Sequence, residues 1–431
     1  MTDAHLQESN SNVESRTVMG SLLDPTIQTH PNEFYKSLRA QEILPFDEKL
    51  GVYLVSRYAD LNRVLRDPIT FSQEKGYYGQ MARGYLDELK EILREQGGGW
   101  FPDVVNVDPP RHARARQLVQ QAFGARRIKT LEAAFEKQVD RLIDGFIARG
   151  SCDGLADLAL PMAIGFSLSQ LDIDDLAQAK VRDWGAAYLA QFSPLDSREQ
   201  MLEIAGHLCE LQRYLIDLVS RRIERPGSDM LSDLINARID DSEPKLSFNE
   251  LVATARAFLI NTHDSTSTAL ANVLFAVATN EEVADHFYRA GSDDARMTRL
   301  IEEILRIEPP VRAMSRVTTK AVELGGRSLP ENANLLLLFA SANDDEQVFV
   351  APRDFDAGRA GLSRSMTFGA GDHLCLGISL ARMQLRVAAK KVAQRLRGLR
   401  LGVAAEDLRF LPNIAVLSME ALPLRFECEE E

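Results

Sequence analysis

The sequence predicts a helix-rich chain with a minor, mostly antiparallel sheet content, folded as one large domain. Three observations carry this. Apolar spacing from residue 111 to about 237 is mostly helical. A second helical pattern runs unbroken from Ser247 to about Thr279. After about residue 20 no linker, long charge run or internal repeat divides the chain. A length of 431 residues alone points to two or three domains at roughly 150 residues each. The missing linkers favour one.

Residues 1–20 are polar and read as a disordered leader, with 21–431 as the single domain. Residues 33–41 read as a short amphipathic helix, 52–56 as a strand and 58–67 as a helix ending before Pro68. Residues 73–101 read as irregular, with a glycine triplet at 97–99. The long helix opens on Ser247 and Glu250, a Ser-x-x-Glu capping signature. It spans roughly 48 Å at 1.5 Å per residue, enough to cross most of a domain. A helix over about 293–307 stops at Pro309-Pro310. Strands are expected at 322–326 and 334–340, and a last helix over about 376–396.

Composition excludes several classes. The chain is 45% apolar and 26% charged, which is too apolar for a disordered protein. Its 63 acids against 50 bases give −13, the wrong sign for a general phosphate-backbone binder. Cys152, Cys209, Cys375 and Cys428 are far apart, with no CxxC pair, so neither a zinc site nor a disulfide framework is expected. The N-terminus lacks a signal-like apolar core, and no run of about 18 uncharged apolar residues exists. These features lead us to expect a cytoplasmic protein without a membrane span.

Residues 368–382 read Phe-Gly-Ala-Gly-Asp-His-Leu-Cys-Leu-Gly-Ile-Ser-Leu-Ala-Arg. Gly369 and Gly371 permit a tight loop with unusual dihedrals. Cys375 follows that loop and precedes a helix, where N–H groups and the macrodipole favour a thiolate. Gly377 removes a side chain where something flat and bulky could approach. A lone cysteine beside a glycine turn is more often simply buried. The whole string, however, matches every fixed position of the cytochrome P450 haem-binding signature, Phe-Gly-x-Gly-x-His-x-Cys-x-Gly-x-x-Leu-Ala-Arg.

Further segments carry the same resemblance in order. Glu303-Ile304-Leu305-Arg306 resembles the family's Glu-x-x-Arg, whose i and i+3 residues share a helix face. Arg359, in Pro352-Arg353-Asp354-Phe355-Asp356-x-x-Arg359, resembles its third partner. Asp108-Pro109-Pro110-x-His112-x-x-x-Arg116 resembles the start of the helix behind the haem. Asn261-Thr262-His263-Asp264-Ser265-Thr266 stands where the family has Ala/Gly-Gly-x-Asp/Glu-Thr-Thr. The resemblance covers about residues 30–430. It implies a cytochrome P450 fold, mainly α with small sheets, whose long central helix lies over a haem b.

By that resemblance Cys375 is the axial ligand of the haem iron, with Phe368, Gly369 and Gly377 shaping the loop. His112, Arg116, Arg316 and His373 match propionate contacts. Glu303, Arg306 and Arg359 lock the core behind the haem. Asp264 and Ser265 are the catalytic pair, an acid that relays protons and a hydroxyl that steers them. Serine for threonine keeps the hydroxyl with less rotamer restraint. Asn261 and Thr262 replace the small pair that opens a groove for dioxygen. Asn343-Asp344-Asp345 departs from the usual Asn-Arg-Asp.

Over the haem the resemblance places Tyr77, Tyr78, Met81, Tyr85, Trp100, Phe101, Phe192, Leu259, Asn261, Thr262, Met314, Ile414 and Val416. Such a lining suits an apolar or aromatic small molecule. The leading reading is a monooxygenase that inserts one oxygen atom from O2, a monomer taking electrons from a separate ferredoxin and ferredoxin reductase. A peroxide-using enzyme, or one catalysing coupling, isomerisation or reduction, stays open, as does a haem-dependent binder or sensor. Six bases and no acids lie between Arg111 and Lys129 (Arg111, Arg114, Arg116, Arg126, Arg127 and Lys129). They are expected to form a basic face for an acidic ferredoxin.

Overall fold

A computed structural model describes residues 20–428, except 83, 104–105, 123–124, 174–177, 193–194, 196, 241–242 and 412. At 80, 122, 125–126, 178–179 and 428 it describes the backbone alone. The expected leader, but for its last residue, lies outside the described residues.

The chain opens with α1 (Pro25–Thr29) and α2 (Asn32–Arg39), then β1 (Phe46–Asp47), β2 (Val52–Val55), α3 (Tyr58–Leu65) and β3 (Phe71–Ser72). Two helices follow where the sequence reads as irregular, α4 (Gln73–Gln80) and α5 (Leu86–Gln96). The Ser72 hydroxyl caps α4 by accepting from the Lys75 N–H at 2.9 Å. Leu86, Leu89 and Leu93 give α5 an apolar stripe, and the glycine triplet marks its end rather than disorder, with the Gly97 N–H bonded to the Leu93 carbonyl.

The helical middle comprises α6 (Arg111–Ala122), α7 (Ala125–Asp144), β4 (Ser151–Asp153), α8 (Leu160–Leu171), α9 (Gln178–Ala190), α10 (Arg198–Glu224), α11 (Met230–Asn236), α12 (Phe248–Thr279), α13 (Glu281–Arg289) and α14 (Asp294–Ile307). Next come β5 (Ala313–Thr318), β6 (Val322–Leu324), β7 (Arg327–Leu329), β8 (Asn334–Leu338), α15 (Phe339–Asn343) and α16 (Ile378–Arg395). The chain closes with β9 (Leu396–Leu401), β10 (Phe410–Leu411), β11 (Ser418–Met419) and β12 (Pro423–Cys428).

The largest sheet has the order β1-β2-β8-β5-β3. Its pairings are antiparallel except β2 with β8, which is parallel, against the expected antiparallel pattern. These two strands come from distant parts of the chain, so no hairpin fixes their relative direction. Around α12 the core is assembled from α8, α9, α10 and α16. Apolar side chains ring α12 over most of its length, as expected of a helix with no water face. One segment, Gly154–Leu171, reaches a membrane-like mean hydropathy of 1.3, yet 67% of it is buried in this core.

At the start of α12 the capping box is complete. The Ser247 hydroxyl accepts from the Glu250 N–H, and the Glu250 carboxylate accepts from the Ser247 N–H at 2.7 Å. The other Glu250 oxygen takes the Arg114 guanidinium of α6 at 2.7 Å, tying two helices to one cap. Ser247→Ala is expected to lower stability by about 1 kcal/mol. A urea midpoint unchanged from the parent would show that the cap contributes nothing.

Candidate active site

The loop before α16 is built by its glycines. Gly369 and Gly371 have φ of +72° and +67°. A Cβ on Gly371 would lie 2.2 Å from the Leu65 carbonyl oxygen, so the loop can approach α3 only as glycine. The Cys375 N–H then donates to the Phe368 carbonyl at 2.9 Å and closes the turn. The Phe368 ring carries the Arg382 guanidinium, 5.6 Å from its centroid, and Arg382 pairs with Glu302 of α14 at 2.7 Å. A Cβ at Gly377 would meet nothing nearer than the Cys375 Sγ at 4.0 Å, so this flank of the sulfur is clear.

Cys375 is exposed, whereas Cys152 and Cys209 are buried. Desolvation pushes the Cys375 thiol pKa up; the Gly377 N–H and the Arg116 guanidinium pull the other way. A cation bonded to sulfur is the ordinary way to deprotonate such a thiol. In Cys152, burial raises the pKa to about 12, as for an inert core thiol.

Cationic and imidazole groups lie near the same loop: the Arg116 guanidinium acts on the Cys375 sulfur, and His373 belongs to the loop itself. The His112 and His373 rings stack at 4.0 Å between centroids. Burial lowers the His112 pKa, and neighbouring Arg116 lowers it further. Arg316 of β5 is 3% exposed. Burial brings its pKa down to about 10, with Asp108 pulling the other way. The Arg316 Nη1 donates only to the Ser315 carbonyl, at 2.8 Å, and no carboxylate pairs with it among the described residues. Asp108 is occupied elsewhere, accepting from the Ser72 hydroxyl and from the N–H groups of Gln73 and Glu74. A buried guanidinium in this state calls for an anion.

The polar break in α12 spans Asn261 to Ser265. Asn261 is exposed, while Thr262, Asp264 and Ser265 are half-buried. The Ser265 hydroxyl donates to the Asn261 carbonyl at 2.8 Å, the back-bond usual for serine within a helix. Sequence reasoning passed over His263. Its ring is buried, with Nδ1 2.9 Å from the Leu259 carbonyl and Nε2 3.2 Å from Asp264 Oδ1. A titratable side chain beside the proposed acid was the available signal.

Glu303, Arg306 and Arg359 come together as the sequence predicts. The carboxylate of Glu303 holds Arg306 bidentately at 2.9 and 2.9 Å and Arg359 at 2.7 Å. Glu303 and Arg306 are wholly buried. The remaining guanidinium hydrogens go to backbone carbonyls, Arg306 to Asn343 and Pro352, and Arg359 to Val350, Ala351 and Asp354. Asn343 carries the lock toward the cysteine loop, its Oδ1 accepting from the Met366 N–H at 2.7 Å and its Nδ2 donating to Thr367. Asp344, where an arginine is usual, is no simple loss. It meets Arg353 at 3.3 Å and lies 4.0 Å from Arg306, a second negative charge against the two arginines.

The residues expected over the haem separate into two groups. Trp100 and Phe192 join Tyr77, Tyr78 and Tyr188 in an aromatic cluster, with ring centroids of Tyr77 and Phe192 5.0 Å apart and those of Tyr78 and Trp100 6.0 Å apart. Tyr77, Tyr78, Tyr188 and Trp100 line a cleft with Met81, Gln191, Gln212 and Arg256. Met314 is 40% exposed on β5. Val416 bridges to Val311, and Ile414 packs under the sheet. Leu259 is fully buried within the core around α12.

The basic segment is largely neutralised. Arg111 pairs with Glu74 at 2.6 Å, Arg114 with Glu250 at 2.7 Å, and Arg127 with Asp233. The Arg126 side chain lies outside the described residues. A continuous unpaired basic face is therefore not what these arginines form, because acids distant in sequence fold onto them.

A profile of the Cytochrome P450 family matches residues 207–401. The erythromycin C-12 hydroxylase of Saccharopolyspora erythraea is 31% identical over 88% of this chain and 90% of its own length. The chain belongs to the cytochrome P450 family. Nocardicin C N-oxygenase of Nocardia uniformis subsp. tsuyamanensis is 30% identical, covering 93% of this chain and 96% of its own. The solved structure of a cytochrome P450 from Chondromyces apiculatus superposes with a TM-score of 0.82 at 27% identity, covering 95% of this chain and 98% of that one. As a cytochrome P450 the protein is a monooxygenase that binds haem, iron protoporphyrin IX, through a cysteine thiolate. The residues present fit that group. They offer an exposed cysteine with a clear flank at Gly377 and, at Arg316, a buried cation that no carboxylate among the described residues pairs with.

Two outcomes follow from the lock. Glu303→Gln removes the charge between two buried guanidinium groups, and losing one partner of a buried ion pair costs about 3–5 kcal/mol. The variant is expected to retain little haem, read from the Soret absorbance per chain; full retention would rule out this role for Glu303. Burial pushes the Asp344 carboxyl from 3.8 up to about 6, with Arg353 pulling down. The folded chain thus holds this proton more tightly than the unfolded one, so stability falls as pH rises from about 4 to about 6. Asp344→Asn is expected to gain on the parent by about 3 kcal/mol between pH 4 and pH 7. Urea unfolding at both pH values checks this, and an equal difference at both would contradict it.

Proposed function

We propose that Cys375 is the axial thiolate ligand of the haem iron, and that His112, Arg116, Arg316 and His373 hold the propionates. The enzyme inserts one oxygen atom from O2 into an apolar or aromatic small molecule. The observations that carry the assignment are an exposed Cys375 and a buried Arg316 that no carboxylate among the described residues pairs with. Bound haem supplies the iron at which dioxygen is activated.

The chain's own residues do the rest. Phe368, Gly369 and Gly377 shape the loop that presents the sulfur. Asp264 takes up protons and passes them toward the cleft, and the Ser265 hydroxyl accepts and donates beside it. Asn261 and Thr262 present an amide and a hydroxyl toward oxygen and substrate. Tyr77 and Tyr188 satisfy each other's hydroxyls at 2.6 Å, and their rings pack with Phe192 into an apolar wall suited to an aromatic or apolar body. A hydroxylase and an N-oxygenase among the relatives support oxygen insertion at carbon or nitrogen.

Electrons come from a separate ferredoxin and its reductase, and the enzyme works in the cytoplasm as a monomer. With Arg114 held by Glu250, Arg114→Glu is expected to destabilise the α12 cap rather than selectively weaken ferredoxin docking.

Reduction and addition of carbon monoxide test the ligand. The parent is expected to give the red-shifted Soret band of thiolate-ligated haem, and Cys375→Ser to lose it; the same band in the variant would refute the ligand assignment. Asp264→Asn and Ser265→Ala are expected to lower product per O2 by about tenfold, with peroxide rising in proportion. Full coupling in both would remove the relay. Turnover with peroxide, faster than with ferredoxin and O2, would favour a peroxide-using enzyme.

A further inference from the structure

We propose that His263 and Asp264 form a one-proton pair, in which His263 holds the proton that Asp264 hands on. The inference deepens the reading of Asp264 as the relay acid and rests on it. His263 is here a positioning residue, acting through Asp264.

The argument is one of donors and acceptors. His263 Nδ1 lies 2.9 Å from the Leu259 carbonyl oxygen, which can only accept, so Nδ1 carries a hydrogen. Nε2 lies 3.2 Å from Asp264 Oδ1. If the imidazole were neutral and the carboxylate ionised, two lone pairs would face each other across that contact. One added proton makes it a hydrogen bond. That proton resides on Nε2, giving imidazolium and carboxylate, or on Oδ1, giving imidazole and carboxylic acid. The two forms have the same composition and titrate as a pair.

The fold holds the pair in place. His263 is 1% exposed. Across from it α9 presents Gly185, where a Cβ would lie 2.6 Å from Nε2 and 2.8 Å from Cε1. Any larger residue there would push the ring off Asp264. The groups acting on the ring are Leu259 and Asp264 of α12, and Gly185 brings no charge from α9. Burial pulls the His263 pKa down, yet the Asp264 hydrogen bond and charge, with the Leu259 carbonyl, leave it raised. A raised histidine pKa means that the pair's contribution is present at low pH and lost as pH rises through it.

In the hand-over the Nε2–H bond breaks and an Oδ1–H bond forms. Imidazolium becomes neutral imidazole with Nδ1–H retained, and carboxylate becomes carboxylic acid. The acid releases the proton toward Ser265, and solvent water returns one proton to the pair.

The test is NMR of the holoenzyme as its diamagnetic reduced carbon monoxide complex, with histidine labelled in 15N and aspartate carboxyls in 13C. At about pH 6 the expected result is either a doubly protonated His263 ring or a protonated Asp264 carboxyl. The midpoint should lie above 6.5 and fall in Asp264→Asn. A neutral His263 beside an ionised Asp264 at that pH would overturn the proposal. The pH profile of product per O2 supplies the functional arm. His263→Gln should keep the Soret band, raise peroxide severalfold and lose the parent's alkaline limb. Gly185→Ala should do the same with both side chains present, and covers the case in which His263→Gln fails to fold. Normal coupling in His263→Gln and Gly185→Ala but not in Asp264→Asn would remove His263 and keep the relay acid; normal coupling in all three would remove both.

Discussion

Glu303 has no contact with water, and its two oxygens serve two guanidinium groups. A buried carboxylate is tolerable only when paired and hydrogen-bonded, and the same holds for its partners. Each remaining guanidinium hydrogen therefore draws a backbone carbonyl inward, from Asn343 and from the stretch 350–354. That stretch is irregular chain without helix or strand to hold it. Its position is set by where the arginines need acceptors. Through Asn343 and Thr367 the same network fixes the entry to the loop that ends in Cys375. The geometry around the sulfur is thus anchored on charges well behind it.

The long helix faces the opposite constraint. Apolar almost throughout, it can cross the core because nearly every side chain is packed. Its polar break at Asn261–Ser265 is where packing gives way to chemistry, and where a buried imidazole is held against a carboxylate. Polar groups in such a place cost stability unless they bond. Here the bonds run to helix carbonyls and within the His263–Asp264 contact.

Much of the fold was legible because the signals are local. The capping box at Ser247, the apolar periodicity of α12 and the double proline after α14 each act within a few residues. The misses have physical reasons too. Helix α5 lay beside a glycine triplet that looked like disorder, and the parallel pairing of β2 with β8 joins distant strands.

The sequence by itself determined the cysteine loop, since its glycine dihedrals and the identity of the sulfur residue are local properties. It also determined the Glu303 and Arg306 pair, because i and i+3 share a helix face. Only the tertiary structure decided which charges cancel. Arg111 is answered by Glu74, Arg114 by Glu250 and Arg127 by Asp233, so three of the six bases between Arg111 and Lys129 have acid partners from distant sequence. Asp344 answers Arg353, which turns an apparent loss into a counter-charge. His263 and Asp264 are neighbours in sequence, but consecutive helix side chains point about 100° apart. Their meeting depends on rotamers fixed by packing, with room left for the ring by a glycine on another helix, and chain adjacency alone does not encode it.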